Sequence, residues 1–579
     1  MSDLLNISDL AVRYRTRSGH IDALHGIDLS VRAGEVTAVV GESGSGKSTT
    51  AQAVMGLLPT NAELVRGTIT LGPDLRVGDQ VSMDRPEDGA AVRATSSVLS
   101  DLGPREWRAV RGRQIGLIPQ DPNNSLNPVK RIGETVSEAL RIHRWKDRDA
   151  RNRRVFELLE RVGIDQPDLR ARQYPHELSG GMKQRVLIAA AIALQPRLII
   201  ADEPTSALDV TVQQRILDLL DELRSQDGTG ILFITHDLAV AGDRADQVVV
   251  MQHGEVREHG SAVQVLSNPQ HAYTRQLLDD APSFAHITEA VHWKRPAVTS
   301  LDSSATAAAD APLLRVEHLR QEFGGGRGKE PFVAVDDVSF AVRAGTTHAL
   351  VGESGSGKTT TGRSIAGFNA PTSGSILFDG SDILGLDRKA RRQLRRDIQL
   401  VYQNPYSSLD PKQTIGDIIA EPLANFGIGD KASRRRSAAE QLDLVALPQD
   451  ALERRPRELS GGQLQRVAIA RALVLQPRLI VLDEAVSALD VTVQAQILRL
   501  LSKLQQELAL TYVFISHDLA VVQQISDTVS VLSHGRQVEA GTTERIFAHP
   551  ETEYTQQLIA AIPGRRLPFT KSVSRETLE

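Results

Sequence analysis

The sequence predicts an α/β protein with two tandem domains, each combining a mostly parallel sheet, an antiparallel β portion near its start and a helical subdomain. One set of short motifs occurs twice in the same order. Each set contains a glycine-rich loop, which in the first half follows a β-branched apolar run and precedes a helix-compatible stretch. Each set continues with apolar runs that end in acidic or histidine residues. Buried apolar strands that alternate with helices are typical of α/β proteins with parallel sheets.

The repeat has a constant period over the second part of each half. Residues 281 positions apart are Ser179 and Ser460, Glu203 and Glu484, His236 and His517, and Tyr273 and Tyr554. Earlier in the chain, Lys47 and Lys358 lie 311 positions apart, whereas Gln120 and Gln403 lie 283 apart. The first half therefore carries 28 additional residues, near 73–100. Their polar, turn-rich composition favours a surface loop over a partner-binding element.

Length and composition bound the possible classes. A chain of 579 residues accommodates two domains with cores of their own, and we predict them at 1–280 and 313–579, with a linker at 281–312 that lacks apolar periodicity. Lysine plus arginine number 67 against 72 aspartate plus glutamate, so no basic excess indicates nucleic acid as a partner. The absence of cysteine excludes disulfides, thiolate metal sites and a cysteine-ligated iron–sulfur cluster.

Membrane segments are not predicted. The first residues lack the charged and apolar regions of a secretory signal. Apolar runs such as 186–194 are shorter than the roughly 20 residues that span a bilayer. We therefore expect the chain to reach a membrane only through partner proteins.

The glycine-rich loops predict a P-loop nucleotide site in each half. The run Val36–Val40 precedes the sequence Gly-Glu-Ser-Gly-Ser-Gly-Lys-Ser at 41–48, and 352–359 repeats it with a final threonine. Glycines let backbone N–H groups turn towards phosphate oxygens, and the lysine reaches the β- and γ-phosphates. The hydroxyls of Ser48 and Thr359 are expected to ligate Mg²⁺. The ATP-binding candidates are Gly41, Ser43, Gly44, Gly46, Lys47, Ser48 and Thr49, and Gly352, Ser354, Gly355, Gly357, Lys358, Thr359 and Thr360.

Each half also contains an apolar run that ends in two acidic residues, as buried strands do when they deliver side chains to a site. The first acid, Asp202 or Asp483, is predicted to hold Mg²⁺ through water. The second acid, Glu203 or Glu484, is predicted to orient or deprotonate the attacking water. An isolated acidic pair after a strand is more often a helix cap, but the preceding P-loops favour the catalytic interpretation.

A histidine follows another apolar strand in each half. His236 and His517 stand where they can contact a γ-phosphate. A single histidine at a strand end is usually structural. The recurrence at a common offset favours the functional interpretation.

The motif Leu-Ser-Gly-Gly-x-x-Gln-Arg occurs at 178–185 and 459–466 and resembles the signature of the ATP-binding cassette (ABC) family. The resemblance covers nearly the whole chain. It implies two tandem ABC-type P-loop NTPase domains with RecA-like cores that bind ATP and Mg²⁺ and hydrolyse ATP. It also implies that Gln120 and Gln403 are Q-loop glutamines, acting in catalysis and at Mg²⁺, and that 206–209 and 487–490 are D-loops.

In that family, two cassettes pair head to tail, and the signature of one completes the nucleotide site of the other. A Ser-Gly-Gly sequence that opens a helix is itself suited to an anion. By this resemblance, ATP would hold the halves together and hydrolysis would release them. The site built on Lys47 would be completed by Ser460, Gly461 and Gly462, and the site built on Lys358 by Ser179, Gly180 and Gly181.

Tyr14 and Phe323 match the position of the aromatic residue that stacks on adenine in the family. An aromatic residue on an early strand is also often part of a core. Phe332 is a second candidate in the second half.

Segments 120–128 and 403–411, together with the tails around Tyr273 and Tyr554, resemble the dipeptide, oligopeptide and nickel importer branch. This implies a fused ATPase subunit at the cytoplasmic face of the membrane, held there by two transmembrane permease subunits that form a heterodimer. An extracytoplasmic substrate-binding protein would deliver the substrate. Di- or oligopeptides are the expected cargo, and nickel chelates and glutathione-like compounds stay open.

The two halves differ directly after the second acidic residue. Ala485-Val486 stands where the first half has Pro204-Thr205, so we predict two competent but unequal sites.

The alternative function is a soluble translation factor with tandem ABC domains. Such factors carry a long charged helical linker, and the short, sparsely charged segment 281–312 favours transport instead.

Overall fold

A computed structural model describes residues 3–16, 19–72, 97–205, 208–284, 311–324, 331–487 and 489–564. The chain forms two compact units, and the main boundary between them falls after Ala281. Most of the predicted linker, most of the segment near 73–100, and D-loop residues 206, 207 and 488 lie outside the described residues. The bounds 1–280, 281–312 and 313–579 stay predictions.

The first half contains two sheets. Its strands are β1 (Asp3–Thr16), β2 (Gly19–Arg32), β3 (Val36–Val40), β4 (Ala62–Leu71), β5 (Ser97–Val98), β6 (Ile115–Ile118), β7 (Leu198–Asp202), β8 (Gly230–Ile234), β9 (Gln247–Gln252) and β10 (Glu255–Ser261). The antiparallel sheet has the order β2-β1-β4-β5, and the larger sheet has the order β10-β9-β3-β8-β7-β6. In the larger sheet, only β9 and β10 pair in antiparallel fashion.

Helices cover the sheets and form the helical subdomain. Those of the first half are α1 (Lys47–Val54), α2 (Pro104–Val110), α3 (Pro122–Ser125), α4 (Ile132–Ile142), α5 (Arg148–Arg161), α6 (Pro167–Arg170), α7 (Gly180–Ala191), α8 (Val210–Asp227), α9 (Leu238–Arg244), α10 (Ala262–Ser267) and α11 (Ala272–Asp280). Helices α4, α5 and α7 pack against one another and lie in the chain between the Q-loop residue Gln120 and strand β7, which ends in Asp202. These helices form the helical subdomain that the sequence predicts.

The second half repeats this arrangement. Its strands are β11 (Leu314–Phe323), β12 (Phe332–Val342), β13 (Thr347–Val351), β14 (Ser373–Phe378), β15 (Ser381–Asp382), β16 (Ile398–Val401), β17 (Leu479–Asp483), β18 (Thr511–Ile515), β19 (Thr528–Ser533) and β20 (Arg536–Thr542). Its helices are α12 (Lys358–Ile365), α13 (Arg388–Asp397), α14 (Pro405–Ser408), α15 (Ile415–Phe426), α16 (Lys431–Leu444), α17 (Gly461–Leu473), α18 (Val491–Leu508), α19 (Leu519–Ile525), α20 (Thr543–Ala548) and α21 (Glu553–Ala560). The sheet orders are β12-β11-β14-β15 and β16-β17-β18-β13-β19-β20.

The central strands explain why the site forms where it does. Every residue of β3, β8, β13 and β18 is buried, as expected for strands covered on both faces. Strands β3, β8 and β7 are parallel neighbours, so their carboxyl ends meet at one edge of the sheet. The predicted α/β fold class, with a parallel sheet, an antiparallel portion and a helical subdomain in each half, is confirmed.

The end of the additional segment in the first half belongs to the antiparallel sheet. Ser97–Val98 pairs with β4, and Leu99 is fully buried. For residues 73–96 the surface loop stays a prediction. Among the helices of the described ranges, none has the length and apolar character needed to cross a membrane.

A buried histidine distinguishes the second P-loop strand from the first. His348 is 2% exposed and stacks on Phe340 with ring centroids 4.3 Å apart. Its Nδ1 lies 2.8 Å from Thr528 Oγ1 and its Nε2 lies 3.1 Å from Ser530 Oγ. Burial lowers the pKa of His348 to about 3. The corresponding residue of the first half is Thr37.

We expect the second unit to lose stability in mild acid because of this histidine. Below a pH of about 6.5 the imidazole of His348 takes up a proton in the unfolded chain but not in the folded one, where it is buried. The contribution of neutral His348 to the free energy of unfolding is therefore complete above that pH and is lost as the pH falls towards 3. The slope is about 1.4 kcal/mol per pH unit. His348→Thr should remove this dependence, as measured by chemical denaturation at several pH values. Parallel pH profiles for the parent and the variant would contradict the prediction.

Candidate functional site

The lysine of each glycine-rich loop is folded back on its own loop. Lys47 Nζ donates to the carbonyl oxygens of Gly41 and Glu42 at 2.7 Å each, and only 5% of the residue is exposed. The same two bonds of 2.7 Å recur in the second half, with Lys358, Gly352 and Glu353. Ser43 and Gly44 of the first loop are exposed. The outer turn of the loop therefore faces solvent, whereas the lysine side chain is buried against the carbonyl oxygens of its own loop.

The first glycine of each loop occupies a position that no other residue fits. Gly41 has φ +148°, and a Cβ placed on it would lie 2.1 Å from the carbonyl oxygen of Met251. Gly352 has φ +145° and the same distance to the carbonyl oxygen of Leu532. The loop thus lies directly against the neighbouring strand. Glycine-rich loops of this kind at the start of a helix direct backbone N–H groups towards a phosphate.

A hydroxyl and a carboxylate converge beside each lysine. Ser48 Oγ donates to Asp202 Oδ1 at 3.2 Å, and Thr359 Oγ1 donates to Asp483 Oδ1 at 2.9 Å. Burial, together with the charge of Glu203, raises the pKa of Asp202 to about 6, and burial also raises the pKa of Asp483. A bound cation would favour the ionised carboxylate. This pair of oxygen donors fits Mg²⁺, which prefers oxygen ligands.

The second acid of the first half is held by two neighbours. Gln120 Nε2 donates to Glu203 Oε2 at 2.8 Å, and His236 Nδ1 lies 3.3 Å from the same oxygen. Burial by itself would raise the pKa of Glu203, but its hydrogen bond to His236 and the nearby positive charges lower it. Burial would lower the pKa of His236, yet Glu203 raises it. The glutamate is therefore a carboxylate with a fixed orientation.

The second half reproduces this cluster. Gln403 Nε2 donates to Glu484 Oε2 at 2.7 Å, and His517 Nδ1 lies 3.4 Å from that oxygen. The pKa of Glu484 is lowered and that of His517 is raised, since their mutual contact outweighs the opposing effect of burial in both cases. Both halves therefore hold a Gln–Glu–His cluster of the same geometry.

The two glutamates have an unusual backbone conformation. Glu203 has φ +45° and Glu484 has φ +50°, in the left-handed region that residues with a Cβ seldom occupy. The Glu203 N–H donates to the carbonyl oxygen of Ile234 at 2.9 Å, and the Glu484 N–H donates to that of Ile515 at 3.0 Å. The neighbouring strand thus holds a conformation of the kind that clusters at active sites.

The signature residues begin helices whose N-termini are exposed. Ser179 caps α7 by accepting from the Met182 N–H, and Ser460 caps α17 by accepting from the Gln463 N–H. Both serines are exposed. The helices α7 and α17 therefore begin as the sequence analysis expects.

The two predicted adenine-stacking aromatics differ in their surroundings. Tyr14 packs on the first core, with its hydroxyl 3.3 Å from Thr49 Oγ1 beside the P-loop helix. Phe323 is 44% exposed and pairs across the strands with Phe332, which is 67% exposed. The stacking roles of Tyr14 and Phe323 stay predictions, and Phe332 stays a candidate.

The residues that differ between the halves directly after Glu203 and Glu484 are buried. Thr205 is 8% exposed in the first half, and Ala485 and Val486 are 2% exposed in the second. The Gln–Glu–His clusters in front of them are alike. Unequal activity of the two sites therefore stays a prediction.

Tyr273 and Tyr554 contact the P-loops, although the sequence analysis assigns them no role. The backbone N–H of Glu42 donates to the Tyr273 hydroxyl at 3.1 Å, and that of Glu353 donates to the Tyr554 hydroxyl at 3.2 Å. The available signal was their recurrence at the common offset of 281.

Comparison with known proteins supplies the family. A family model described as ABC transporter matches residues 24–206 and 335–487. A second, described as the C-terminal region of oligopeptide and dipeptide transporters, matches 258–304 and 538–573.

Similar proteins cover nearly the whole chain. The glutathione import ATP-binding protein GsiA of Salmonella paratyphi A is 40% identical over 97% of this chain and 90% of its own length. The oligopeptide transport ATP-binding protein OppD of Mycobacterium tuberculosis is 40% identical over 97% of this chain and 99% of its own. Among solved structures, cbiO1 of Clostridium perfringens, part of the ABC transporter complex cbiONQ, is 28% identical and covers 42% of this chain and 92% of its own, with a TM-score of 0.37.

Proposed function

Since this chain belongs to the ABC transporter family and is an ATPase, we propose that it is the ATP-hydrolysing subunit of a binding-protein-dependent importer of short peptides. The observation that carries the proposal is the duplicated Gln–Glu–His cluster beside a P-loop lysine, on a chain that also matches the oligopeptide and dipeptide C-terminal region twice. Each half supplies one complete set of these groups.

Within each site, different groups bind the phosphates and activate the attacking water. The P-loop N–H groups and lysine hold the β- and γ-phosphates, as their convergence at the helix N-terminus favours. The carboxylate of Glu203 or Glu484, ionised and oriented by its glutamine and histidine, accepts a hydrogen bond or a proton from the attacking water. The histidine contacts the γ-phosphate. Positioning and electrostatics supply most of the acceleration in phosphoryl transfer.

Mg²⁺ would be held by the Ser48 hydroxyl with Asp202 and by the Thr359 hydroxyl with Asp483. Gln120 and Gln403 reach the same region from the Q-loops. When bound, the ion neutralises charge on the nucleotide phosphates. The oxygen donor sets support this assignment.

ATP also serves as the signal that joins the halves. The exposed helix N-termini at Ser179 and Ser460 are suited to a γ-phosphate bound on the opposite half. Binding of two ATP molecules then favours the closed state, and hydrolysis favours separation. This cycle drives alternating access in the permeases.

The segments after the Q-loop glutamines are the proposed permease contacts. Tyr406, in α14, is 60% exposed, and Val129, just after α3, is 79% exposed. Exposed side chains of this size, in the segments that follow the glutamines in contact with Glu203 and Glu484, are suited to couple a partner to the site. The chain would thus sit at the cytoplasmic face of the membrane, held by two permease subunits, with a substrate-binding protein outside.

The substrate class follows from the relatives. One is named for glutathione import and another for oligopeptide transport, and glutathione is itself a tripeptide. Short peptides therefore form the cargo that both names share. The importing direction rests on the first of these names, since the second states only transport.

Co-purification with membrane partners tests the proposal. The chain extracted from native membranes in mild detergent should bring down two polytopic permeases, and deletion of the chain should abolish uptake of labelled short peptides. Tyr406→Asp should reduce permease recovery at least severalfold, because it places a charge on the proposed docking surface. Leu508→Asp, at a residue 44% exposed on α18, is the matched control. Recovery of ribosomes without permeases would overturn the proposal.

A further inference from the structure

The C-terminal helix of each half touches the glycine-rich loop through one hydroxyl group. The Tyr273 side chain of α11 accepts the Glu42 N–H at 3.1 Å, and the Tyr554 side chain of α21 accepts the Glu353 N–H at 3.2 Å. Tyr273 is 4% exposed. The two tyrosines lie 231 and 201 residues from their partners, so neither contact arises from local chain geometry.

This hydroxyl acts on the same peptide group as the P-loop lysine. The carbonyl of Gly41 and the N–H of Glu42 belong to one planar peptide unit. Lys47 Nζ donates to the oxygen of that unit at 2.7 Å, while Tyr273 accepts from its nitrogen. The unit is therefore held on both of its polar sides, and the orientation of the lysine depends on a peptide that the tyrosine fixes.

The second half contains the same arrangement. Lys358 Nζ donates to the carbonyl oxygen of Gly352 at 2.7 Å, and Tyr554 accepts the N–H of the same peptide unit. The N–H that donates to the tyrosine is already engaged and is not available to a phosphate. The tyrosine is thus placed to position the loop and not to bind the nucleotide.

A glutamate of the sheet anchors each tyrosine-bearing helix; Glu539 is buried and Glu258 is half-buried. Glu258 of β10 accepts the N–H groups of Gln270 at 2.8 Å and His271 at 3.0 Å, immediately before α11. Glu539 of β20 accepts those of Glu551 at 3.0 Å and Thr552 at 3.2 Å, before α21. The start of each helix is therefore held in place, together with the tyrosine, which is the second residue of the helix.

We propose that Tyr273 and Tyr554 are positioning residues through which the C-terminal extension of each half sets the nucleotide affinity of its P-loop. The proposal rests on ATP being the ligand of both loops. Because a phenylalanine would fill the same space, the hydroxyl group alone carries the effect. The extension is then a part of each nucleotide site, whatever the transported substrate.

The test is the double variant Tyr273→Phe with Tyr554→Phe in the full chain. The Kd for a fluorescent ADP analogue and the KM for ATP should both rise about three- to tenfold, the effect of one lost hydrogen bond at each loop. The kcat should change by less than about twofold, because a bond present in both ground and transition states contributes uniform binding.

Tyr512→Phe is the matched control. Its hydroxyl donates to the Leu501 carbonyl oxygen at 3.0 Å in the core, at the end of β18 away from the P-loop. It should lower Tm, as the loss of a buried hydrogen bond does, and leave Kd and KM unchanged. A double variant whose Kd and KM match those of Tyr512→Phe would overturn the inference. Failure of the importer proposal would show differently, as a chain with tyrosine-dependent nucleotide affinity but no permease partner.

Discussion

Replacing Glu203 and Glu484 together with glutamine is expected to lower kcat for ATP hydrolysis by about 10²–10⁴-fold, the usual contribution of a positioned general base. Each carboxylate accepts from a glutamine at 2.8 or 2.7 Å and is kept ionised by a histidine. A glutamine side chain can still accept from Gln120 or Gln403, so the loops keep their shape, but it cannot take a proton from water. The Kd for ATP should stay within about threefold of the parent value, because the phosphate contacts are intact.

The two sites can be compared by making each substitution alone. If the exchange of Pro204-Thr205 for Ala485-Val486 makes the sites unequal, the two single variants will differ in residual turnover. Glu507→Gln, in an exposed pair with Lys503 on α18, is the control and should leave turnover unchanged. Parental turnover in the double variant would show that these glutamates are not the catalytic acids.

Alanine at Gly41 and Gly352 is expected to weaken nucleotide binding by at least about tenfold. The new Cβ would lie 2.1 Å from a backbone oxygen of the adjacent strand, so the loop must move, and φ values of +148° and +145° add strain. The displacement separates the N–H groups from the phosphates that they surround. Titration with a fluorescent ADP analogue measures the loss, and circular dichroism verifies that the chain is folded.

Gly34→Ala separates the effect of backbone strain from that of the contact. Gly34 has φ +71° with open space around its Cβ position, in the turn between β2 and β3. This variant should lose about 1 kcal/mol of stability and keep its nucleotide affinity. Equal affinities for Gly41→Ala and Gly34→Ala would contradict the role assigned to the close approach of the loop.

The parts of the site that sequence predicts best are continuous along the chain. The strand Val36–Val40, the loop that follows and the helix from Lys47 are consecutive, and glycine is required at positions of positive φ. The acidic and histidine residues were also identified because each follows a buried strand. Local pattern was sufficient to predict residue type, strand and position in these cases.

Contacts between segments that are distant along the chain could not be predicted from local pattern. Gln120 meets Glu203 across 83 residues, and Tyr273 meets Glu42 across 231. Which strands become neighbours depends on the packing of the whole sheet, and no single segment of the sequence specifies the order β3-β8-β7. The positive φ of Glu203 and the raised pKa of Asp202 likewise depend on burial between these strands.

By itself, the sequence determined the duplication, the α/β class and the family, and it predicted the groups that are proposed to bind and hydrolyse a nucleotide. Each of these depends on residue type and short-range spacing, which a linear chain carries completely. Only the tertiary structure decided that glutamine and histidine converge on one glutamate oxygen, and that a C-terminal tyrosine holds the peptide on which the P-loop lysine rests. Such contacts are decided in three dimensions, because a hydrogen bond requires two atoms to meet within about 3 Å and spacing along the chain does not specify that distance.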